Sequence, residues 1–327
     1  MTRLGAAVLI VLVAAAAVAA QPAAPSVVEI DRAVVLVSVT FDSAGRTVRG
    51  SGSGIILEAG GLILTAAHVV TRAQTIDVTL WSGESLSARL IGLDPLFDAA
   101  LIRVEPASPL PTAALGSPSV LASGAMLTAL GRAPRRQAGP TAGEFIEVDL
   151  EARPGVPYLR ASTRVWPGDS GGAMLNDRGE VVGLIVAITR DGTVSLSLSV
   201  DAVRRLLPDL QTGSVRHAWI GIAGRTLTPE LAQELGLAGR SGVVVLEAIP
   251  GGPAAQAGLR GGAATASGEI PRGGDLIVAI DGRPVTTFGT MAAYVLSRRI
   301  GDTVTVQVFR DGEMFTTTVV LGERPSV

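Results

Sequence analysis

From Val27 to about Ile188 the chain alternates short apolar runs with clusters of Gly, Pro, Asp and Ser. Val34-Val35-Leu36-Val37-Ser38-Val39 is a β-branched run. Gly50-Ser51-Gly52-Ser53-Gly54 reads as a tight turn leading into Ile55-Ile56-Leu57, and Ala59-Gly60-Gly61 as a second turn before Leu62-Ile63-Leu64-Thr65. Many short strands separated by turn residues predict a sandwich or barrel rather than alternating strands and helices. Asp201–Leu210 is predicted to be a short amphipathic helix broken at Pro208, and 211–217 a linker. The first unit is thereby bounded at 27–210.

A second unit is expected over 218–327. It opens on Trp219-Ile220-Gly221-Ile222 and continues with a strand at Val243–Leu246 and a short helix at Pro253–Leu259. Gly261–Gly274 reads as an inserted loop. Asp275–Ile280 is a strand ending in the turn pair Asp281-Gly282, and a helix is predicted over Phe288–Arg299. Thr303–Phe309 and Phe315–Leu321 flank Asp311-Gly312, a hairpin signal.

The N-terminus reads differently. Arg3 precedes an unbroken apolar run from Leu4 to Ala20, and Ala17-Val18-Ala19 fits a small-residue cleavage site. Residues 1–20 are therefore expected to be a signal peptide or, at the short edge of the ~17–25 residues that span a bilayer, a membrane anchor. Either places the remainder outside the cytoplasm, in the periplasm or an equivalent compartment. Composition then narrows the function. The 327 residues are 47% hydrophobic and only 3% aromatic, so the cores rest on Val, Leu, Ile and Ala. A net charge of -2 without a basic tract argues against nucleic-acid binding. Absence of Cys removes thiol catalysis and Cys-ligated zinc, and two His residues are too few for a His-rich metal site, so no cofactor is expected.

Three segments carry chemistry. Ser170 sits in Pro167-Gly168-Asp169-Ser170-Gly171-Gly172, where glycines let the main chain turn sharply and aim N–H groups at a developing oxyanion. A serine hydroxyl needs a base to become a nucleophile. His68, in Thr65-Ala66-Ala67-His68-Val69-Val70, follows a predicted strand. Asp98, in Asp98-Ala99-Ala100-Leu101, precedes one. Taken singly, each is as well read as a turn or surface residue. In the chain order His, Asp, Ser they match the chymotrypsin-type arrangement. Gly168-Asp169-Ser170-Gly171-Gly172 also satisfies the G-x-S-x-G elbow of α/β-hydrolases, with Asp201 or Asp209 and then His217 to follow. An elbow serine lies between a strand and a helix, however, whereas an Asn176-Asp177-Arg178-Gly179 turn and a new strand follow here.

These segments, with Gly52-Ser53-Gly54-Ile55-Ile56 and Gly179-Glu180-Val181-Val182-Gly183, resemble the HtrA group of trypsin-like serine proteases that carry a PDZ domain. The resemblance runs from about residue 28 to the C-terminus. It implies a mainly β fold, a chymotrypsin-like double β-barrel followed by an α+β PDZ domain, with His68, Asp98 and Ser170 in the cleft between barrels. It implies an oxyanion hole at Gly168, Asp169 and Ser170. Trp219, Ile220, Gly221 and Ile222 resemble a carboxylate-binding loop, which with Met291 and Val295 on the groove helix would take C-terminal peptides as an added strand. Arg216 and His217 either help draw in that carboxylate or simply belong to the linker. The implied function is a serine endopeptidase acting on misfolded or signalling proteins of the cell envelope. The alternative is an inactive protease-like scaffold presenting its PDZ domain to exported partners. The family tends to form homotrimers through N-terminal aromatic residues, and none stands between Gln21 and Thr40, so the trimer is the weaker expectation. Arg164 and Trp166 depart from the small residues and Asn usual ahead of the nucleophile. Arg164 would select an acidic or polar P1 side chain if it pointed inward, and none if it turned to solvent.

Overall fold

The computed structural model describes residues 27–132, 139–213, 215–263 and 272–325. The expected leader or anchor at 1–20 lies outside the described residues, as does the centre of the expected inserted loop, 264–271. After a short helix α1 (Val27–Arg32), strands β1 (Val34–Ser43), β2 (Arg46–Glu58), β3 (Leu62–Thr65), β4 (Thr75–Thr79), β5 (Ser85–Asp94) and β6 (Ala99–Arg103) close into a barrel in the order β1-β2-β3-β6-β5-β4. Helix α2 (Ala67–Val70) links β3 to β4. Strands β7 (Met126–Leu130), β8 (Thr141–Asp149), β9 (Tyr158–Ala161), β10 (Ala173–Leu175), β11 (Val181–Ile188) and β12 (Ser195–Ser199) close a second barrel, ordered β10-β11-β12-β9-β8-β7. The double barrel is the expected one.

Period-two patterning builds these strands. In β1, Val35, Val37 and Val39 are buried while Ser38 and Thr40 are half-exposed. All four residues of β3 are buried, so it contributes apolar side chains from both faces, each worth about 1.5–3 kcal/mol. The Gly50–Gly54 segment corrects the sequence reading. It is no turn but the middle of β2, paired residue by residue with Val35–Val39 of β1. Helix α3 (Val200–Thr212) also differs from expectation, because it runs through Pro208. Pro208 is exposed, so the hydrogen bond it cannot donate faces water, while Val203, Leu206 and Leu210 hold the opposite face in the barrel core. Gly213 ends the helix in the left-handed region, at φ +79°.

The second unit starts with β13 (Ala218–Trp219) and β14 (Ile222–Thr226), followed by helix α4 (Pro229–Glu234), β15 (Val243–Ala248), helix α5 (Pro253–Gln256), β16 (Leu276–Ile280) and β17 (Arg283–Pro284). Helix α6 (Phe288–Leu296), β18 (Thr303–Arg310), β19 (Glu313–Val320) and β20 (Gly322–Glu323) complete it. The main sheet runs β14-β15-β16-β18-β19, which leaves β14 at an edge. The Asp281-Gly282 and Asp311-Gly312 pairs both take positive φ at both positions, as tight hairpin turns require.

Among the contacts that join the units, two are polar and specific. The N–H of Gly289 in α6 donates to Glu151 Oε1 at 2.7 Å, and a Cβ at Gly289 would lie 2.3 Å from Leu150 O. His217 Nε2 meets Asp94 Oδ2 at 2.9 Å with both side chains largely buried, and the ring stacks on Phe97 at 5.2 Å. Arg216 pairs with Glu323 at 3.5 Å. Both residues are thus engaged by carboxylates of the chain itself, Asp94 and Glu323. Removing a partner from a buried pair strands the other, so His217→Ala should cost about 1–3 kcal/mol. Gly289→Ala should improve helix propensity by about 1 kcal/mol yet push α6 off the barrel. Limited proteolysis of the full chain should show both variants cut faster than wild type between 213 and 217; unchanged cutting would mean these contacts do not hold the units.

Candidate active site

The site is assembled at the seam of the barrels. His68 lies on α2, immediately after β3. Asp98, in the turn before β6, adopts φ +56°, in the left-handed region that strains most L-residues and that Asp tolerates better than most. The return is geometric, because its Oδ1 accepts the His68 main-chain N–H at 2.9 Å and its Oδ2 meets His68 Nδ1 at 2.7 Å. One carboxylate thus fixes both the backbone and the ring of His68, holding the proton on Nδ1 and leaving Nε2 as the acceptor. The hydrogen bond to Asp98 raises the His68 pKa above its ordinary value; burial opposes the rise and the Asp98 charge adds to it.

Ser170 lies across β2 from this pair. A Cβ at Gly52 would meet Val69, the neighbour of His68, at 2.6 Å and Ser170 O at 2.9 Å, so the absence of a side chain at Gly52 lets the two approach. No hydrogen bond joins His68 Nε2 to Ser170 among the described residues. Such bonds often tighten only when substrate is bound. His68, Asp98 and Ser170 are therefore brought to one cleft, with the first two in direct contact.

The turn before Ser170 has type II form. Asp169 N–H donates to Trp166 O at 2.9 Å, Pro167 holds the second position, and Gly168 holds the third with φ +101°. Trp166 N–H donates to Asp169 Oδ2 at 3.0 Å, and Asp169 is fully buried. This corrects the expected oxyanion set. The Asp169 N–H closes the turn and is not free for a ligand, whereas the N–H groups of Gly168 and Ser170 have no acceptor among the described residues. Gly171 follows at φ +87°, where a Cβ would fall 2.1 Å from Ser53 O.

Arg164 turns to solvent, its guanidinium 5.3 Å from the Trp166 ring centroid, so it forms no pocket base. Ser53, which carried no role in the sequence reading, is fully buried here and touches the nucleophile loop at two points. Its N–H donates to Ser170 O at 2.7 Å, and its hydroxyl donates to Gly168 O at 2.8 Å. The signal for it was the flanking glycine pair, which marks a close approach of main chains.

In the second unit, Gly221 adopts φ +84°, and the carbonyls of Ile220 and Gly221 accept the N–H groups of Ala254 and Ile249, each at 2.9 Å. The N–H groups of Ile220 and Gly221 have no acceptor among the described residues. Trp219 packs against Gly252. Met291 and Val295 correct the expectation in part, since they are 1% and 4% exposed and belong to the core of this unit. Among the described residues, this unit leaves main chain unpaired at the Ile220-Gly221 loop and along the edge of β14.

Comparisons with known proteins agree with this architecture. Residues 52–184 match the trypsin-like peptidase domain and residues 218–321 the PDZ domain. The chain is 32% identical over 292 residues to a probable periplasmic serine endoprotease DegP-like of Pseudomonas fulva, covering 86% of this chain and 57% of that protein. It thus spans little more than half the length of that relative. A putative serine protease HhoA of Synechocystis is 31% identical over 291 residues, with 84% and 71% covered. Among solved structures, the HtrA-type protease AlgW with decapeptide superposes with a TM-score of 0.75 at 25% identity, covering 92% of this chain and 98% of that one. A serine endoprotease from Yersinia pestis gives 0.69 at 25%, with 91% and 97% covered.

The sign of the His68 shift fixes a pH dependence. A base with a raised pKa stays protonated, and so unable to accept a proton, to a higher pH than usual. The acid limb of kcat/KM should therefore lie above the ordinary His value of ~6.5, and Asp98→Asn should lower kcat by about 10⁴-fold by releasing the tautomer. A limb at or below 6.5 in steady-state assays would contradict the Asp98–His68 geometry.

Proposed function

Since the chain belongs to the HtrA-type, trypsin-like serine proteases with a PDZ domain, we propose that it is a serine endopeptidase of the cell envelope whose PDZ domain holds C-terminal peptides. The observation that carries the reading is the bidentate hold of Asp98 on His68 beside a turn that leaves the N–H groups of Gly168 and Ser170 without an acceptor among the described residues. Ser170 attacks the scissile carbonyl, and His68 Nε2 takes its proton and then returns it to the leaving amine. Asp98 keeps the imidazole oriented and balances its charge. The N–H groups of Gly168 and Ser170 receive the oxyanion, at a site worth about 10²–10³ in rate per donor. Peptide substrates lie in the cleft between barrels, and no cofactor takes part. The inactive-scaffold alternative is disfavoured by the same geometry, because a chain without turnover has no need to hold the His68 tautomer.

Several relatives are described as periplasmic, and the Arg3–Ala20 pattern fits export of this chain. Misfolded or signalling proteins of that compartment are the substrates this reading favours. The peptide partner is an extended chain end, its carboxylate on the Ile220 and Gly221 N–H groups and its strand beside β14.

A fluorophosphonate probe should label Ser170, with the modified residue mapped by mass, and Ser170→Ala should fold yet lose casein hydrolysis by at least about 10³-fold. Near wild-type hydrolysis by that variant would overturn the assignment. Separately, peptides ending in a free apolar residue should bind the full chain at least about tenfold more tightly than their C-terminal amides. Equal affinities would remove the carboxylate loop from Trp219–Ile222.

A further inference from the structure

Ser53 holds both halves of the oxyanion site from behind. Its main-chain N–H donates to Ser170 O at 2.7 Å and its hydroxyl to Gly168 O at 2.8 Å. These are the carbonyls of the two residues whose N–H groups are left free. The direction of the hydroxyl proton is set as well. Arg132 N–H donates into Ser53 Oγ at 2.7 Å, which occupies a lone pair and turns the hydroxyl hydrogen toward Gly168. Ser53 itself cannot shift, because its carbonyl accepts Thr65 Oγ1 at 2.7 Å and it is fully buried. Arg132 is fixed in turn by its side chain, which donates to Val34 O at 2.9 Å and pairs with Asp31 at 3.0 Å.

From this geometry we infer that Ser53 is a positioning residue for proteolysis: by holding the Gly168 and Ser170 carbonyls it fixes the peptide planes on either side of the Asp169–Ser170 plane that carries the Ser170 N–H, and so limits how far the Gly168 and Ser170 N–H groups can turn. The need for a clamp follows from the residues around those N–H groups. Gly168 and Gly171 sit at φ +101° and +87°, the region glycine enters freely but also leaves freely. The Trp166–Asp169 hydrogen bonds close the turn on itself but do not tie it to the first barrel, and a displacement of about 1 Å at a reacting centre can cost about 10²-fold in rate. The main-chain half of the clamp survives any substitution at 53, whereas the hydroxyl half is removed by Ser53→Ala. The inference rests on the protease reading above.

The test compares full-length wild type with Ser53→Ala, Ser53→Thr and Ser53→Val. Ser53→Ala should lower kcat on a peptide substrate by about 10- to 100-fold, less than the loss of a whole donor, with KM within about twofold. Affinity for a peptide boronate, whose tetrahedral adduct occupies the oxyanion site, should fall by the same factor. The acid limb of the pH profile should stay in place, because the Asp98–His68 pair is untouched; a general loss of structure would move it. Thr keeps the hydroxyl and Val has the same shape without it, so Thr should recover activity at least about fivefold over Val even if both pack less well. A kcat for Ser53→Ala within twofold of wild type, or equal activity for Thr and Val, would overturn the inference. Should the wild type neither cleave nor take up the fluorophosphonate, the protease reading fails by itself. A crystal structure of Ser53→Ala then decides the clamp: Gly168 O displaced by about 1 Å supports it, and an unmoved turn overturns it.

Discussion

The structure depends on a place where main chain meets main chain with no side chain between. Strand β2 crosses the nucleophile loop so closely that a Cβ at Gly171 would lie 2.1 Å from Ser53 O and one at Gly52 would lie 2.9 Å from Ser170 O. The apolar cluster of the first barrel continues into Leu130, Ala173, Leu175 and Leu184 of the second, but apolar packing is non-directional. A backbone hydrogen bond is directional, and the one from Ser53 N–H to Ser170 O aligns β2 with the loop. The cleft, the approach of His68 to Ser170, and the direction of the free N–H groups all follow from that contact.

A second layer of constraint runs from the site to the PDZ domain. The turn that ends at Asp98 is fastened from two sides. Asp94 Oδ1 accepts the N–H groups of Leu96 and Phe97 while its Oδ2 holds His217, and Arg153 donates to the carbonyls of Pro95 and Leu96. Arg153 belongs to the same loop that supplies Glu151 to the start of α6. Helix α6 and the turn carrying Asp98 are thus attached to one loop, without a long relay of side chains between them.

Much of this was legible in the sequence. Strand and hairpin positions followed from β-branched runs and from Asp-Gly pairs, and three motifs whose local chemistry and order agree singled out His68, Asp98 and Ser170, which the fold brings to one cleft. Legibility failed where a residue type has two physical uses. Gly50–Gly54 reads as a turn because glycine permits sharp bends, whereas here Gly52 and Gly54 serve by lacking a Cβ inside a strand. Pro208 reads as a helix breaker, but burial of Leu206 and Leu210 outweighs one hydrogen bond lost to solvent. Asp169 reads as an oxyanion residue by adjacency, and only the turn shows its N–H occupied. Ser53 and His217 were out of reach for a different reason. Their partners lie 115 and 123 residues away along the chain, and no local pattern encodes such a meeting.

The open edge of β14 has a consequence for the behaviour of the protein in a crowded compartment. An unpaired strand edge is a template on which copies of the same chain, or unfolded neighbours, can grow a continuous sheet. This edge is five residues long, and its pairing with β15 breaks register between Ala223 and Gly224, a kink that strengthens local twist and shortens the flat run available. A chain end of a few residues can dock there, while a long partner strand would soon lose alignment. The irregularity that makes the sheet less perfect thus shortens the template that this bare edge presents to other chains.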